Sequence, residues 1–300
     1  MALERVRSGS TDPRLRRSYD RAIAILIGGN AALALIKALL AWTTGSSAIF
    51  SDAANSLADT LYSILLGIGL SLSQKPADIG HPQGHSRFDP LIGMLVTAAM
   101  AGAGVTALHE SIQRFLGDAR PFALPLPTLV LLGAALIKLA MYRSISRIGQ
   151  KTGSPAIHAS AQDNLMDTLT TASAMIGIWG ARYLHPAADP VAGVLVALWI
   201  FRTTWMVGRK SLGYLTGRGA EQEVVGEIID RAREVPGVES IHRVIADYVG
   251  PKLRVEIHVG VDGGITLEHA HGISNEVEAR IKTLPSVDLV FVHVDPTRKT

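Results

Sequence analysis

Two stretches of this chain carry oxygen ligands one helical turn apart, N55-SLA-D59 and D163-NLM-D167, and Asp52 lies just ahead of the first. On a helix, residues four apart sit about 40° apart in azimuth and about 6 Å apart along the axis, so each pair occupies one face. Both stretches fall inside long apolar runs. A carboxylate in that setting costs at least a few kcal/mol. Two partners relieve the cost, a proton or a bound cation, and the same oxygens would hold either one in competition. That competition is the requirement of an antiporter. Interhelical hydrogen bonds, or carboxylates lining a cavity for some other solute, are the plainer alternatives for polar groups in such spans.

A third cluster is D78-IG-H81-PQG-H85, where an Asp and two His around a Gly-Pro turn can converge on one cation. A solvated loop with incidental histidines is the competing reading. The last third of the chain holds five of the ten histidines. His293 and Asp295, two apart, project from one face of a strand, as His258 does from the polar face of another. His242 lies on a strand and His271 on a helix. Histidines scattered on a sheet are often only solvated side chains.

Elements that could position these groups follow from composition. The 300 residues have a mean hydropathy of +0.26, with only 18% charged side chains. Soluble domains carry about 25%, so a membrane protein is expected. The net charge of +3 and the 5% aromatic content give no footprint for nucleic acid. Absence of cysteine excludes disulfides, thiolate metal sites and cysteine nucleophiles, leaving His, Asp, Glu, Asn and backbone oxygen for metal chemistry. The basic N-terminus leads into an apolar run too long for a signal peptide.

Six apolar runs of spanning length are expected, near 20–43, 47–73, 89–116, 121–143, 156–184 and 190–208. Basic residues gather before the first (Arg5, Arg7, Arg14, Arg16, Arg17), in the second and fourth loops and after the sixth, which predicts both termini on the cytoplasmic side. In that topology the two ligand pairs face each other near mid-bilayer, Asn55 level with Asp167 and Asp59 with Asp163. Asn30 and Lys37 in the first span are weaker signals, the lysine being expected to reach to the interface. His109, His158 and His185 lie near span ends and read as interfacial. The expected division is a tail at 1–18, a six-helix transmembrane domain at 19–209 and a cytoplasmic domain at 210–300. That last domain reads as αββαβ: a helix in EQEVVGEIIDRAREV, strands in VESIHRVIADYVG and KLRVEIHVGV, a helix over roughly 266–284, and a strand in DLVFVHVD.

On these motifs the chain resembles the cation diffusion facilitator family of divalent-metal/proton antiporters over essentially its whole length. The resemblance implies a six-helix membrane domain followed by a metallochaperone-like α+β domain, and a homodimer formed largely through that domain. It implies that Asn55, Asp59, Asp163 and Asp167 form a tetrahedral transport site, that Asp78, His81 and His85 form a peripheral loop site, and that His242, His258, His271, His293 and Asp295 are ligands of a pair of cytoplasmic sites. Asp52 is not a ligand in the family and is a candidate for the entrance; His269 has no family counterpart. Zinc-preferring members supply histidine to the transport site. An all-oxygen set favours Mn²⁺, with Zn²⁺, Fe²⁺ and Co²⁺ tolerated, and the pattern resembles that of a bacterial branch of the family associated with manganese efflux. No covalent chemistry is implied, so the chain is not expected to be an enzyme. A membrane-anchored metal sensor and an intramembrane aspartyl hydrolase are the competing functions. A family salt bridge clamping the dimer finds Arg87 in one place but Thr216 in the other, with Glu221 as a candidate substitute. The expected location is the bacterial inner membrane.

Overall fold

A computed structural model describes residues 12–44, 47–116, 125–183 and 187–297. The chain divides into two compact units, Met1–Leu212 and Gly213–Thr300.

The first unit is built from six long helices: α1 (Pro13–Thr44), α2 (Ser47–Ser73), α3 (Phe88–Leu116), α4 (Pro125–Thr152), α5 (Pro155–Tyr183) and α6 (Ala188–Leu215). Among the described residues, four stretches are long and apolar enough to cross a membrane: Pro13–Thr43, Ser56–Ser73, Phe88–Gln113 and Pro190–Leu215. Large apolar side chains such as Leu35, Leu61, Leu65 and Ile68 point outward and are well exposed. That arrangement suits a helix bundle in lipid and would be costly in water. Inside, Tyr19, Leu26, Leu66, Leu70, Val96, Met100, Met141, Ile145 and Ile157 form the packed core. Helix α1 packs on α2 and α4, and α5 packs on α3 and α4. At Gly29 a side chain would collide with Met141, its Cβ lying 2.5 Å from the sulfur, so glycine lets α1 approach α4.

Two boundaries differ from expectation. Arg143–Lys151, expected as a basic loop, is the last part of α4, and the connection to α5 is only Gly153-Ser154. Nothing in RSISRIGQK breaks a helix; the break comes where Gly153 takes φ 69° and Ser154 precedes a proline. The tail likewise becomes helical at Pro13, where the Asp12 carboxylate accepts the Arg14 N–H at 2.8 Å.

The second unit is the expected αββαβ: α7 (Gln222–Arg233), β1 (Ser240–Val249), β2 (Lys252–Asp262), α8 (Leu267–Ile281) and β3 (Val287–Thr297). The sheet order is β1-β2-β3, with β2 antiparallel to β1 and parallel to β3. Strand β2 buries Leu253, Val255, Ile257, Val259 and Val261 on one face, as period-two alternation requires. Ile228 and Ala232 of α7, with Ile273, Val277 and Ile281 of α8, cover that face at helical spacing. Arg254, Glu256 and His258 of β2 lie on the other face, with His293 and Asp295 of β3 beside them.

Candidate metal centres

The intramembrane carboxylates are brought together by three helices. Asp59 comes from α2 and Asp167 from α5, and between them stands Lys138 of α4. Its Nζ donates to Asp59 Oδ2 at 3.1 Å and to Asp167 Oδ2 at 2.7 Å. Lys138 is 8% exposed, whereas the Asp59 and Asp167 side chains are 47% and 43% exposed, so a buried ammonium faces two carboxylates that are open on one side. Asp59 also lines a small cavity with Asp163, Asn30, Tyr62, Ser63, Lys138, Ser160 and Asn164. Of the two expected pairs, Asp59 of α2 and Asp163 and Asp167 of α5 thus converge about Lys138. The side chains of Asp52 and Asn55 lie outside the described residues.

Lys138 was not among the sequence candidates. The signal was present: a lone cation in LVLLGAALIKLAMY has the same reason to need a partner as the aspartates do. Its partners come from helices α2 and α5, 79 and 29 residues away in sequence, so spacing alone does not name them. Lys37, expected to extend toward the interface, is instead 7% exposed and lies between α1 and α4 with Leu33, Gly133 and Ile137. Asn30 donates its Nδ2 to Ser63 Oγ at 2.7 Å, and Ser63 Oγ donates in turn to the Asp59 carbonyl at 2.8 Å. This chain ties α1 to the turn of α2 that bears Asp59.

The start of α5 is held by a buried carboxylate that local spacing gives no signal for. Asp89, at the start of α3, is fully buried. It accepts from Tyr19 Oη at 2.5 Å, from Ser154 Oγ at 2.8 Å and from the Ala156 N–H at 3.0 Å. Ser154 Oγ also accepts the Ile157 N–H at 3.1 Å. The carboxylate thus sits on the N-terminus of α5, where backbone donors and the helix dipole favour negative charge.

The loop after α2 gathers Asp78, His81 and His85, with one ligand atom from each within 4.8 Å of the others. His85 Nδ1 lies 3.1 Å from the Pro76 carbonyl, which can only accept. Its Nε2 lies 3.4 Å from Asp78 Oδ2, so both ring nitrogens face oxygen acceptors, and a cation at this position would take the Nε2 lone pair with the proton kept on Nδ1. The Asp78 carboxylate accepts the His81 N–H at 2.7 Å. That backbone donor, with the neighbouring imidazoles, holds Asp78 below the usual carboxylate range.

In the second unit the register sets His258 beside His293 in adjacent parallel strands, their rings 4.6 Å apart. Asp295 lies between the imidazoles, 3.5 Å from His258 Nδ1 and 3.2 Å from His293 Nε2. These three form a second ready cluster on the open face of the sheet. Asp295 pairs with Gly260, and a Cβ there would lie 2.2 Å from Ser240 Oγ and 2.8 Å from His242 Nε2. A side chain at 260 would fill the space between His242 and the cluster. Within one chain the structure leaves the other two histidines apart: His242 Nε2 contacts Ser240 Oγ, and His271 Nε2 contacts Asn275. Glu221, considered for the dimer clamp, is engaged by Arg218 at 2.7 Å. His185 lies outside the described residues.

Both units are similar to domains of known proteins. Residues 23–216 match the model for the cation efflux transmembrane domain, and residues 220–297 match that for the cation efflux protein cytoplasmic domain. The manganese efflux system protein MneS of Bacillus subtilis is 27% identical, over 88% of this chain and 91% of its own length. The magnetosome protein MamM of Paramagnetospirillum magneticum is 31% identical, over 84% of this chain and 80% of its own. A cadmium form of the MamM C-terminal domain aligns with 26% of this chain and 98% of its own, at 29% identity and a TM-score of 0.25. The chain belongs to the cation diffusion facilitator family, as a multi-pass membrane transporter and not an enzyme, with a helical membrane domain followed by an α+β domain.

Proposed function

We propose that the protein is a homodimeric, proton-coupled exporter of divalent cations from the cytoplasm, with Mn²⁺ as its favoured substrate. The cation is held by Asn55, Asp59, Asp163 and Asp167, and leaves outward as the helix bundle rocks. Protons moving inward take its place on the aspartates and reset the carrier. Both termini face the cytoplasm, in a bacterial inner membrane. Asp78, His81 and His85 form a peripheral site, and His242, His258, His271, His293 and Asp295 serve regulatory metal sites of the cytoplasmic domain.

The observation that carries this reading is the convergence of Asp59, Asp163 and Asp167 about Lys138. Three carboxylates against one ammonium leave a formal deficit of two positive charges, which one divalent ion or two protons would make up. An all-oxygen ligand set supports Mn²⁺ over softer ions, and the similarity to a protein named for manganese efflux agrees with it.

The test is transport. Reconstituted into vesicles containing a metal-sensing dye, the wild-type protein should move Mn²⁺ in a pH-gradient-dependent way, and Asp59→Ala or Asp163→Ala should abolish the flux. Undiminished flux in those variants would remove the assignment from these residues. Metal responses that depend on the cytoplasmic histidines, with no flux at all, would favour a sensor.

A further inference from the structure

The cavity between α1, α2, α4 and α5 contains two oxygens that nothing above employs. Asn30 is 5% exposed and Asn164 is 2% exposed, and both line the same cavity as Asp59 and Asp163. Among the described residues, the Oδ1 atoms of both amides are buried and have no hydrogen-bond partner. Their orientations are not interchangeable with the flipped amides. Asn164 Nδ2 donates to the Ser160 carbonyl at 2.8 Å, which cannot donate back. Asn30 Nδ2 meets Ser63 Oγ, whose own proton is directed to the Asp59 carbonyl. Each amide is thus anchored by its nitrogen, and its carbonyl oxygen is left without a donor.

Buried acceptors without a donor are rare in native proteins and call for an explanation. Here the two amide oxygens, with the Tyr62 hydroxyl that likewise has no partner, line one cavity of about 10 Å³ beside two carboxylates and the Lys138 ammonium. That is about the least space that holds one water or one ion. An amide oxygen is a hard, neutral donor, suited to a hard divalent cation and a poor partner for soft ones.

We propose that Asn30 Oδ1 and Asn164 Oδ1 are further ligands of the transported cation and determinants of its selectivity. The inference rests on the transport-site reading above. Added to Asp59 and Asp163, which line the same cavity, they raise its carboxylate and amide ligand residues from two to four, all of them oxygen donors. Octahedral oxygen coordination suits Mn²⁺, whereas zinc sites are commonly tetrahedral with nitrogen or sulfur ligands. Helix α1 thereby joins α2 and α5 as a contributor to the site, and ligand number as well as ligand type sets the preference.

Asn30→Leu and Asn164→Leu in the full-length protein test this by calorimetric titration with Mn²⁺ and separately with Zn²⁺. Asp163→Ala serves as the reference that isolates the intramembrane site from the histidine clusters. Each leucine variant should bind Mn²⁺ at least tenfold more weakly while Zn²⁺ affinity changes less than threefold, and Asn30→Asp, which keeps an oxygen, should retain Mn²⁺ binding. Each leucine variant also loses the Nδ2 hydrogen bond to Ser63 or to the Ser160 carbonyl, so a modest drop in Tm is expected without metal, and the split between Mn²⁺ and Zn²⁺ reads the oxygens. Equal losses for both ions, or no loss, would overturn the proposal and leave the cavity as the seat of an ordered water. Failure of the leucine variants to fold would do the same, since it would make the amides structural. If instead the wild type and Asp163→Ala bind Mn²⁺ alike, the transport-site reading itself falls.

Discussion

Replacing Asp89 with alanine should loosen the membrane unit at one point. The carboxylate is fully buried and serves three donors from two parts of the chain: Tyr19 Oη of α1, and Ser154 Oγ with the Ala156 N–H at the start of α5. Truncation strands those donors, and a buried polar group left unpaired costs about 1–3 kcal/mol. Ser154 keeps its contact with the Ile157 N–H and some repacking is available, so with two to three donors stranded the net loss should be about 3–5 kcal/mol. For a unit of this size each kcal/mol lowers Tm by roughly 2–4 °C, which makes the expected drop roughly 6–20 °C. Asp89→Asn retains an oxygen for Ser154 and Ala156 but turns an N–H toward Tyr19, and should lose less than half as much. Thermal unfolding of the purified full-length protein in detergent, without added metal, reads both values. The variant should also weaken Mn²⁺ transport, because Asp163 lies eight residues along α5 from Pro155, about 12 Å of helix rise. An alanine variant within about 1 kcal/mol of the wild type would refute the reasoning, since Asp89 would then not be what seats α5.

Lys138→Gln removes the ammonium that now engages Asp59 and Asp167; Mn²⁺ should then bind the intramembrane site at least tenfold more tightly, about 1.4 kcal/mol, with slower release. Calorimetry and efflux rates check this, and weaker binding would show that the lysine organises the site instead of competing for it. Asn55→His introduces an imidazole and should shift preference from Mn²⁺ toward Zn²⁺ in vesicle transport; an unchanged profile would show that the residue at 55 does not choose the ion. His258→Ala combined with His293→Ala removes two of the three groups clustered on the open sheet face. Zn²⁺-dependent stabilisation of the C-terminal unit should disappear, as followed by thermal unfolding, and a retained shift would place the metal elsewhere.

Much of this protein was legible along the chain because its determinants are local. The 3.6-residue helical period puts Asp163 and Asp167 on one face whatever surrounds them, and the period-two alternation of KLRVEIHVGV marks β2, whose buried apolar side chains are the five expected. The αββαβ order and the D-x-x-H-x-x-x-H loop follow from equally short spacings. Where α4 ends was less legible: basic residues in RSISRIGQK read as a loop by charge, but charge does not break a helix, and only Gly153 and Pro155 do.

Other features depend on how helices rotate and lean against one another, which no local period encodes. A lysine in α4 finding carboxylates on α2 and α5, a carboxylate of α3 capping α5, and two amide oxygens left without donors are all contacts between distant segments. So is the need for glycine at 260, where the crowding comes from Ser240, His242 and Thr297. Burying a charge or an amide makes its partner obligatory but does not say where along the chain that partner lies. The sequence by itself determined which groups would need partners; the packing of the helices and the sheet register decided which partners they have.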